Sequence, residues 1–155
     1  MREISFEQVA AAVEWLTQRA STWLSPDIVM TIECAADGEE DPTARRALED
    51  VLEWVSHSAE TGTPLCQGKV LPLVTAEIGQ EVHISGGTWE EALVSGVKSA
   101  DLNAGEPVCH VHPVSGDRIA LRVLLREPEE ERNPYVAMLS SKKICNFELR
   151  ASCVI

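Results

Sequence analysis

The apolar residues of this chain of 155 residues change their spacing near Thr61–Pro64. Before that point they recur three to four residues apart, as they do on one face of a helix. After it, short runs rich in valine, isoleucine and leucine are separated by turn residues, which is typical of strands. A helical part over residues 1–60 followed by an α/β part over residues 61–125 predicts the α+β class. We expect the helical part to pack on a small antiparallel or mixed sheet.

Three helix starts are marked by capping signals. Ser5 with Gln8, and Thr88 with Glu91, each form a capping-box pattern, in which two side chains satisfy free N–H groups of a first helical turn. Ser25 followed by Pro26 marks the start of a second helix. A third helix follows the polar break at residues 37–42. Its apolar residues, which we expect to face inward, are Ala44, Ala47, Leu48, Val51, Leu52 and Val55.

Strands are predicted at residues 70–76, 82–84, 108–112 and 118–125. Pro72 lies inside the first of them. Because proline cannot donate a hydrogen bond to a ladder, Pro72 predicts an edge strand or a bulge. We interpret residues 113–117 as the turn that joins the last two strands.

The net charge of −12 restricts the partners that this chain can have. An acidic surface repels phosphate backbones, so we predict no nucleic-acid partner. No segment approaches the ~20 apolar residues of a membrane helix, and the first residues do not lead into the apolar core of a signal peptide. We therefore expect a cytoplasmic protein without a membrane partner. The five cysteines include no CxxC pair, which argues against a disulfide framework or a zinc knuckle.

The last residues differ in composition from the rest of the chain. Residues 126–134 are charged and predict a linker or loop, and residues 135–155 form a divergent tail. Residues 144–150 alternate in polarity, which permits a short strand there.

Several segments of the chain follow one another in a characteristic order. They are Met1–Ile4, Pro64–Gln67, Glu77–Ile84 with Gly86–Gly87, Glu90–Val97, His110 and Ser115–Ile119. In this order they resemble the α-type domain of class I, iron–sulfur-dependent fumarases and L-tartrate dehydratases. The resemblance covers roughly residues 1–125 and implies a domain of a hydro-lyase family.

In that family a 4Fe–4S cluster is held by three cysteines, and its iron acts as a Lewis acid on the substrate. The resemblance implies that Cys66 matches the first cluster ligand. The family's other two ligands lie in later parts of its domain, and Cys109, Cys145 and Cys153 do not sit in the corresponding motifs. We therefore expect no cofactor in this chain alone, and a 4Fe–4S cluster only with ligands from elsewhere. The alternative for Cys66 is a half-buried cysteine without metal.

This sequence departs from the family at the residues that handle substrate. Gly68 stands where the family has an aspartate implicated in proton transfer, and the family's basic loop and glycine-rich turn have no counterpart here. The sequence therefore predicts a binding or oligomerising module that lacks fumarate or tartrate dehydratase activity alone. The alternative is an enzyme: a subunit of an iron–sulfur hydro-lyase, or a cluster-free lyase or isomerase that uses the remnant site.

Four residues are the candidates for chemistry. Gln67 and Lys69 would bind a small carboxylic acid beside Cys66, and Lys69 and His110 would act in catalysis. His110 and His112 share one face of a strand, so they would bind zinc or nickel if a third ligand approached. The plain alternatives are an exposed loop lysine and two histidines without metal. The partner we expect is a second copy of this chain or a fumarase-like partner subunit.

Overall fold

The structure, a computed structural model, describes residues 2–126. The predicted charged linker after Arg126 and the possible strand in residues 144–150 lie outside this range. The predicted α+β class is confirmed, and of the two kinds of sheet left open by the sequence, the mixed one is present. In chain order the elements are β1 (Arg2–Ser5), α1 (Phe6–Thr22), α2 (Pro26–Gly38), α3 (Pro42–Thr61), β2 (Leu71–Gly79), β3 (Val82–Ser85), α4 (Trp89–Ser99), β4 (Val108–Val114) and β5 (Ile119–Arg126).

Helix α1 begins at the predicted capping box. The Ser5 hydroxyl accepts a hydrogen bond from the Gln8 N–H at 3.3 Å, and the Gln8 side chain accepts one from the Ser5 N–H at 3.0 Å. One face of the helix is buried, with Val9 and Val13 almost inaccessible to solvent. This face packs against α4 and β5. The helix therefore has a defined start and a defined buried side.

Helix α4 approaches α1 closely at Gly96. A Cβ atom built there would lie 2.4 Å from the Ala10 carbonyl oxygen and 2.7 Å from Cβ of Val13. Both distances are far below van der Waals contact, so any larger residue would push the two helices apart. Gly96 thus allows Leu93 and Val97 to reach the core from the same helix.

Strand β2 is the centre of a three-stranded sheet with the order β4-β2-β5. It pairs in parallel with β4 and antiparallel with β5. The predicted turn at residues 113–117 does connect β4 and β5, but the two strands do not pair with each other. The connection passes around the end of β2, where the Gln80 and Glu81 N–H groups donate to the carbonyls of Val114 and Gly116 at 2.9 and 3.0 Å.

The prediction of an edge strand or a bulge at Pro72 is wrong, since β2 is the central strand. Pro72 is nevertheless placed where its missing N–H does little harm. It lies opposite Leu125 of β5, while the pairing with β4 begins one residue later, at Leu73. At Pro72, β2 therefore has β5 on one side and no paired residue of β4 on the other.

The two faces of this sheet have different surroundings. The inner face packs on α1 and α4, and Val74 and Ala76 of β2 are fully buried there. Because side chains alternate between the faces of a strand, the remaining residues point the other way. We call this second side the outer sheet face. It consists of Leu71, Leu73, Thr75, Glu77, Val108, His110, His112, Ala120, Arg122, Leu124 and Arg126.

Helices α2 and α3 form a separate hairpin. They pack mainly on each other, and α3 also contacts α1. Three residues of the pair are buried: Ala36, Val55 and Ser58. The prediction that Ala47 and Val51 face inward is wrong, because both are exposed. Their side of α3 has nothing packed on it within residues 2–126, although its apolar spacing is that of a buried face.

Strands β1 and β3 form a short parallel pair, with Arg2 opposite Val82 and Ser5 opposite Ser85. No strand was predicted at β1. Across residues 2–126, no helix combines the length and apolar character that crossing a bilayer requires.

Candidate functional site

The candidate residues 66–69 lie in the loop between α3 and β2. Helix α3 ends at Gly62, whose φ of 73° is in the left-handed region that glycine adopts without strain. Three residues later the loop is held in place. The Leu65 N–H donates to the Ser21 carbonyl at 2.8 Å, and the Trp54 indole N–H donates to the Leu65 carbonyl at 3.3 Å.

The other end of the loop is held at Val70. The Val70 N–H donates to the Asn103 carbonyl at 2.9 Å, and its carbonyl accepts from the Gly105 N–H at 2.7 Å. Val70 is itself buried. The four residues from Cys66 to Lys69 therefore span two fixed points, which limits how far this short segment can move.

Within this segment the side chains differ in exposure. Gln67 and Lys69 are exposed, whereas Cys66 is half-buried. A Cβ atom at Gly68 would lie 3.4 Å from the Cys66 sulfur, so a side chain at position 68 would contact the thiol. The loop thus presents an ammonium group and an amide to solvent beside a partly covered sulfur.

His110 lies on a different part of the molecule. It is on the outer sheet face, opposite Thr75 of β2. Lys69 precedes Thr75 by six residues, so an extended chain at ~3.3 Å per residue separates the two by at most about 20 Å. Cys66, Gln67 and Lys69 therefore share one loop, whereas His110 belongs to a separate element, β4.

The histidine pair has the arrangement expected of alternate residues on a strand. The rings of His110 and His112 stack with 6.3 Å between centroids and 21° between planes. Glu77 lies opposite His112, but an Arg122 nitrogen is already 3.9 Å from a Glu77 carboxylate oxygen. Among residues 2–126, no group of three or more His, Cys, Asp or Glu side chains is placed to hold a metal ion.

The described cysteines lie on three different elements. Cys34 is exposed on α2, Cys66 is in the loop, and Cys109 faces the core from β4. Burial, together with the negative charge of Glu90, raises the pKa of the Cys109 thiol above its usual 9.0, which disfavours the thiolate that a metal requires. The described residues therefore do not fit a cluster that needs three thiolates. Cys145 and Cys153 lie outside residues 2–126.

Two surface clefts lie away from these residues. One, of about 570 Å³, follows the exposed side of α4 between Thr88 and Lys98. The other, of about 440 Å³, runs between β1, α1 and β5, with Arg2 and Trp15 at its edges. Neither is lined by the 66–69 segment or by His110.

Arg122 was not among the residues predicted from the sequence. It lies on β5 beside Glu77 of β2, and β2 separates it from the two histidines on β4. The signal in the sequence was the spacing of four residues between Arg118, Arg122 and Arg126.

Comparison with known proteins identifies the family of this chain. The family model for fumarate hydratase (Fumerase) matches residues 10–107. The match contains the whole segment from α2 through α4, including the loop that carries Cys66. This chain belongs to the fumarate hydratase family. The family match ends before His110, so it does not extend to the histidine pair.

One relative of this fumarate hydratase family member comes from Methanocaldococcus jannaschii and carries the name "Putative L(+)-tartrate dehydratase subunit alpha". It is 26% identical over 122 residues, which cover 78% of this chain and 43% of the relative. The chain thus spans less than half the length of that protein.

Proposed function

We propose that this chain is a fumarate hydratase family domain that binds and assembles, and that it does not carry out fumarate or tartrate dehydration alone. The observation that supports this most directly concerns the surroundings of Cys66. Its loop is held at Leu65 and Val70, and within residues 2–126 no group of three or more His, Cys, Asp or Glu side chains is placed to hold a metal ion. Gly68 also leaves no carboxylate at the position where the family has an aspartate.

The loop retains the means to bind a small carboxylic acid. The Lys69 ammonium group and the Gln67 amide both donate hydrogen bonds, and both are exposed at the same tip. An acidic protein repels dianions at long range, and two exposed contacts supply little binding energy. We therefore expect weak binding, with a dissociation constant of about 1 mM.

A second candidate function is that of a subunit in an iron–sulfur hydro-lyase. The printed name of the Methanocaldococcus jannaschii relative, subunit alpha, favours it. In this version Cys66 is one ligand and another chain or segment supplies the rest. A third version, a cluster-free lyase or isomerase, requires Lys69 of the loop and His110 of the outer sheet face to meet at one site.

Three further features belong to the same proposal. We place the domain at residues 1–125, followed by a charged linker and divergent tail over 126–155. The assembly contains a second copy or a fumarase-like partner subunit. The protein acts in the cytoplasm.

Iron analysis tests the proposed lack of independent chemistry. The full chain is purified without oxygen, its iron and sulfide are measured, and fumarate, malate and tartrate are assayed as substrates. We expect no turnover by the chain alone. Turnover together with about four irons per chain that is lost in Cys66→Ser, but retained in the control Cys34→Ser, would overturn the proposal.

Ligand binding is tested by NMR titration of the full chain with tartrate and with fumarate. Lys69→Ala should raise the dissociation constant at least about fivefold, since it removes the only cation of the loop. The matched control is Lys98→Ala, an exposed lysine on α4, which should bind as the unmodified chain does. Equal binding by both variants would show that Lys69 is not part of the site.

A further inference from the structure

The acidic charge of the chain is concentrated in one substructure. Residues 26–61, which form α2 and α3, contain ten acidic residues and two arginines. We call this pair of helices the acidic hairpin. It therefore carries eight of the twelve net negative charges of the whole chain.

The acidic hairpin also exposes large apolar side chains. Met30 is 60% exposed, Ile28 46%, Val51 45% and Trp54 38%. Ala47, Val51 and Trp54 are spaced at i, i+4 and i+7, so they form one stripe along α3. An apolar stripe within a charged surface is the usual composition of a protein interface.

The outer sheet face carries more basic than acidic side chains, although one of its two arginines, Arg122, already lies 3.9 Å from a Glu77 carboxylate oxygen. Arg122 and Arg126 point from β5, Arg118 lies immediately before the strand, and His110 and His112 point from β4. Glu77 is the one acidic residue among those that define this face. Leu124, 55% exposed, and Val108, 39% exposed, add apolar area beside the arginines.

We propose that the acidic hairpin of one copy docks on the outer sheet face of a second copy. The argument is complementarity: apolar side chains on both surfaces, negative charge on one and positive charge on the other. Two hairpins would repel each other, so contact between like surfaces is disfavoured. The inference rests on the proposed assembly function and names the surfaces that carry it.

The geometry of exchange determines the size of the assembly. If two copies each dock their acidic hairpin on the other's outer sheet face, two contacts form around a two-fold axis and the dimer is closed. If the copy that receives a hairpin docks its own hairpin on a third copy, the contact is heterologous and larger assemblies form. In both cases every contact joins a hairpin to a sheet face.

Charge reversal tests this pairing. Sedimentation of the full chain gives the dissociation constant of the self-association. Arg122→Glu on the sheet face and Glu53→Lys on the hairpin should each raise it at least about tenfold, because each sets like charges opposite one another. Both side chains are well exposed, at 74% and 80%, so neither change disturbs the core. The matched controls, Lys98→Glu and Glu3→Lys, should change it by less than about twofold.

Mixing the two weakened variants identifies which surfaces meet. The hairpin of Arg122→Glu retains its negative charge, and the sheet face of Glu53→Lys retains its positive charge. An equimolar mixture should therefore associate at least about tenfold more tightly than either variant alone. A hairpin–hairpin or a sheet–sheet contact would not be restored in this way.

Three results would overturn the inference: a wild-type chain that stays monomeric at tens of micromolar, association that Arg122→Glu weakens no more than Lys98→Glu does, or a mixture that does not recover. None of these outcomes depends on turnover, so failure here is distinguishable from a chain that catalyses dehydration alone.

Discussion

Helix α4 is capped by Thr88 and Glu91. The side chain of each forms a hydrogen bond with the backbone N–H group of the other. The Glu91 carboxylate accepts from the Thr88 hydroxyl at 2.8 Å and from the Thr88 N–H at 3.1 Å. The Thr88 hydroxyl is the main cause that lowers the pKa of Glu91 from its usual 4.5. A lowered pKa in the folded state means that the carboxylate stabilises the fold above about pH 4.5 and that this contribution is lost as the pH falls below it.

Glu91→Gln should therefore make the free energy of unfolding depend less on pH below about pH 4.5. Glutamine retains an acceptor for the capping box but carries no proton-linked charge. The free energy of unfolding, measured with urea between about pH 6 and pH 3, should fall less steeply with decreasing pH in this variant than in the unmodified chain. Glu90→Gln, which changes an acid outside the capping box, is the control. Identical pH profiles for all three proteins would contradict the role assigned to Glu91.

Single residues were predictable where their chemistry is local. The capping boxes at Ser5 and Thr88 depend on neighbours three residues away, and both are present as predicted. The exposure of Lys69 likewise follows from a loop bounded by Gly62 and Val70. The separation of Lys69 from His110 was not predictable, because it depends on which residue of β2 lies opposite His110, and register is a long-range property.

At the scale of elements, the α1–α4 contact depends on the absence of a side chain at Gly96. Alanine favours a helix over glycine by about 1 kcal/mol, but its Cβ would overlap a carbonyl oxygen of α1 that has no free rotation. We expect Gly96→Ala to destabilise the protein by about 1–3 kcal/mol, the usual cost of overpacking. Chemical denaturation measures this directly.

Gly38→Ala is the matched control for that change. Gly38 ends α2, and a Cβ atom there would meet nothing within 4 Å. The substitution should be neutral or should stabilise by up to about 1 kcal/mol, since alanine restricts the unfolded chain. A Gly96→Ala variant as stable as Gly38→Ala would show that the two helices can separate without loss.

Element types followed from the sequence better than their arrangement did. The strands predicted at residues 70–76 and 118–125 exist, because short runs of valine, isoleucine and leucine between turn residues specify a strand locally. That β2 lies between β4 and β5 is set by packing on α1 and α4, which no local pattern encodes. The same reason explains Val51: helical spacing predicted a buried side, but burial requires an opposing element, and residues 2–126 supply none.

At the scale of the whole molecule, stability is unevenly distributed. The core around Val74, Leu93 and Val13 joins two helices and the three-stranded sheet, whereas the acidic hairpin buries only three residues. We expect the amides of α2 to exchange with deuterium faster than those of α4 or β2, since the hairpin opens without disrupting the core. Exchange mass spectrometry on Glu53→Lys, which should remain monomeric, measures this. Equal protection of α2 and α4 would contradict it.

The overall charge of the chain conceals its distribution in space. The net charge of −12 predicts no nucleic-acid partner, but it is an average over the sequence and does not reveal the arginines that β5 places on the outer sheet face. Arg122 and His110 lie on the two strands that flank β2, and both are opposite Thr75, one on each side of it. Surfaces of this kind become visible only when the sheet order is known.

The central position of β2 also determines when the domain can complete its fold during synthesis. The strand is translated before β4 and β5, and at about 5–20 residues per second the chain from Gly79 to Arg126 takes several seconds to follow. Until Arg126 emerges, the nascent chain displays an unpaired strand edge and an uncovered apolar face, which are features that chaperones and proteases recognise. A pause in translation between residues 79 and 119 would therefore lengthen the period in which chaperones and proteases can bind the incomplete domain.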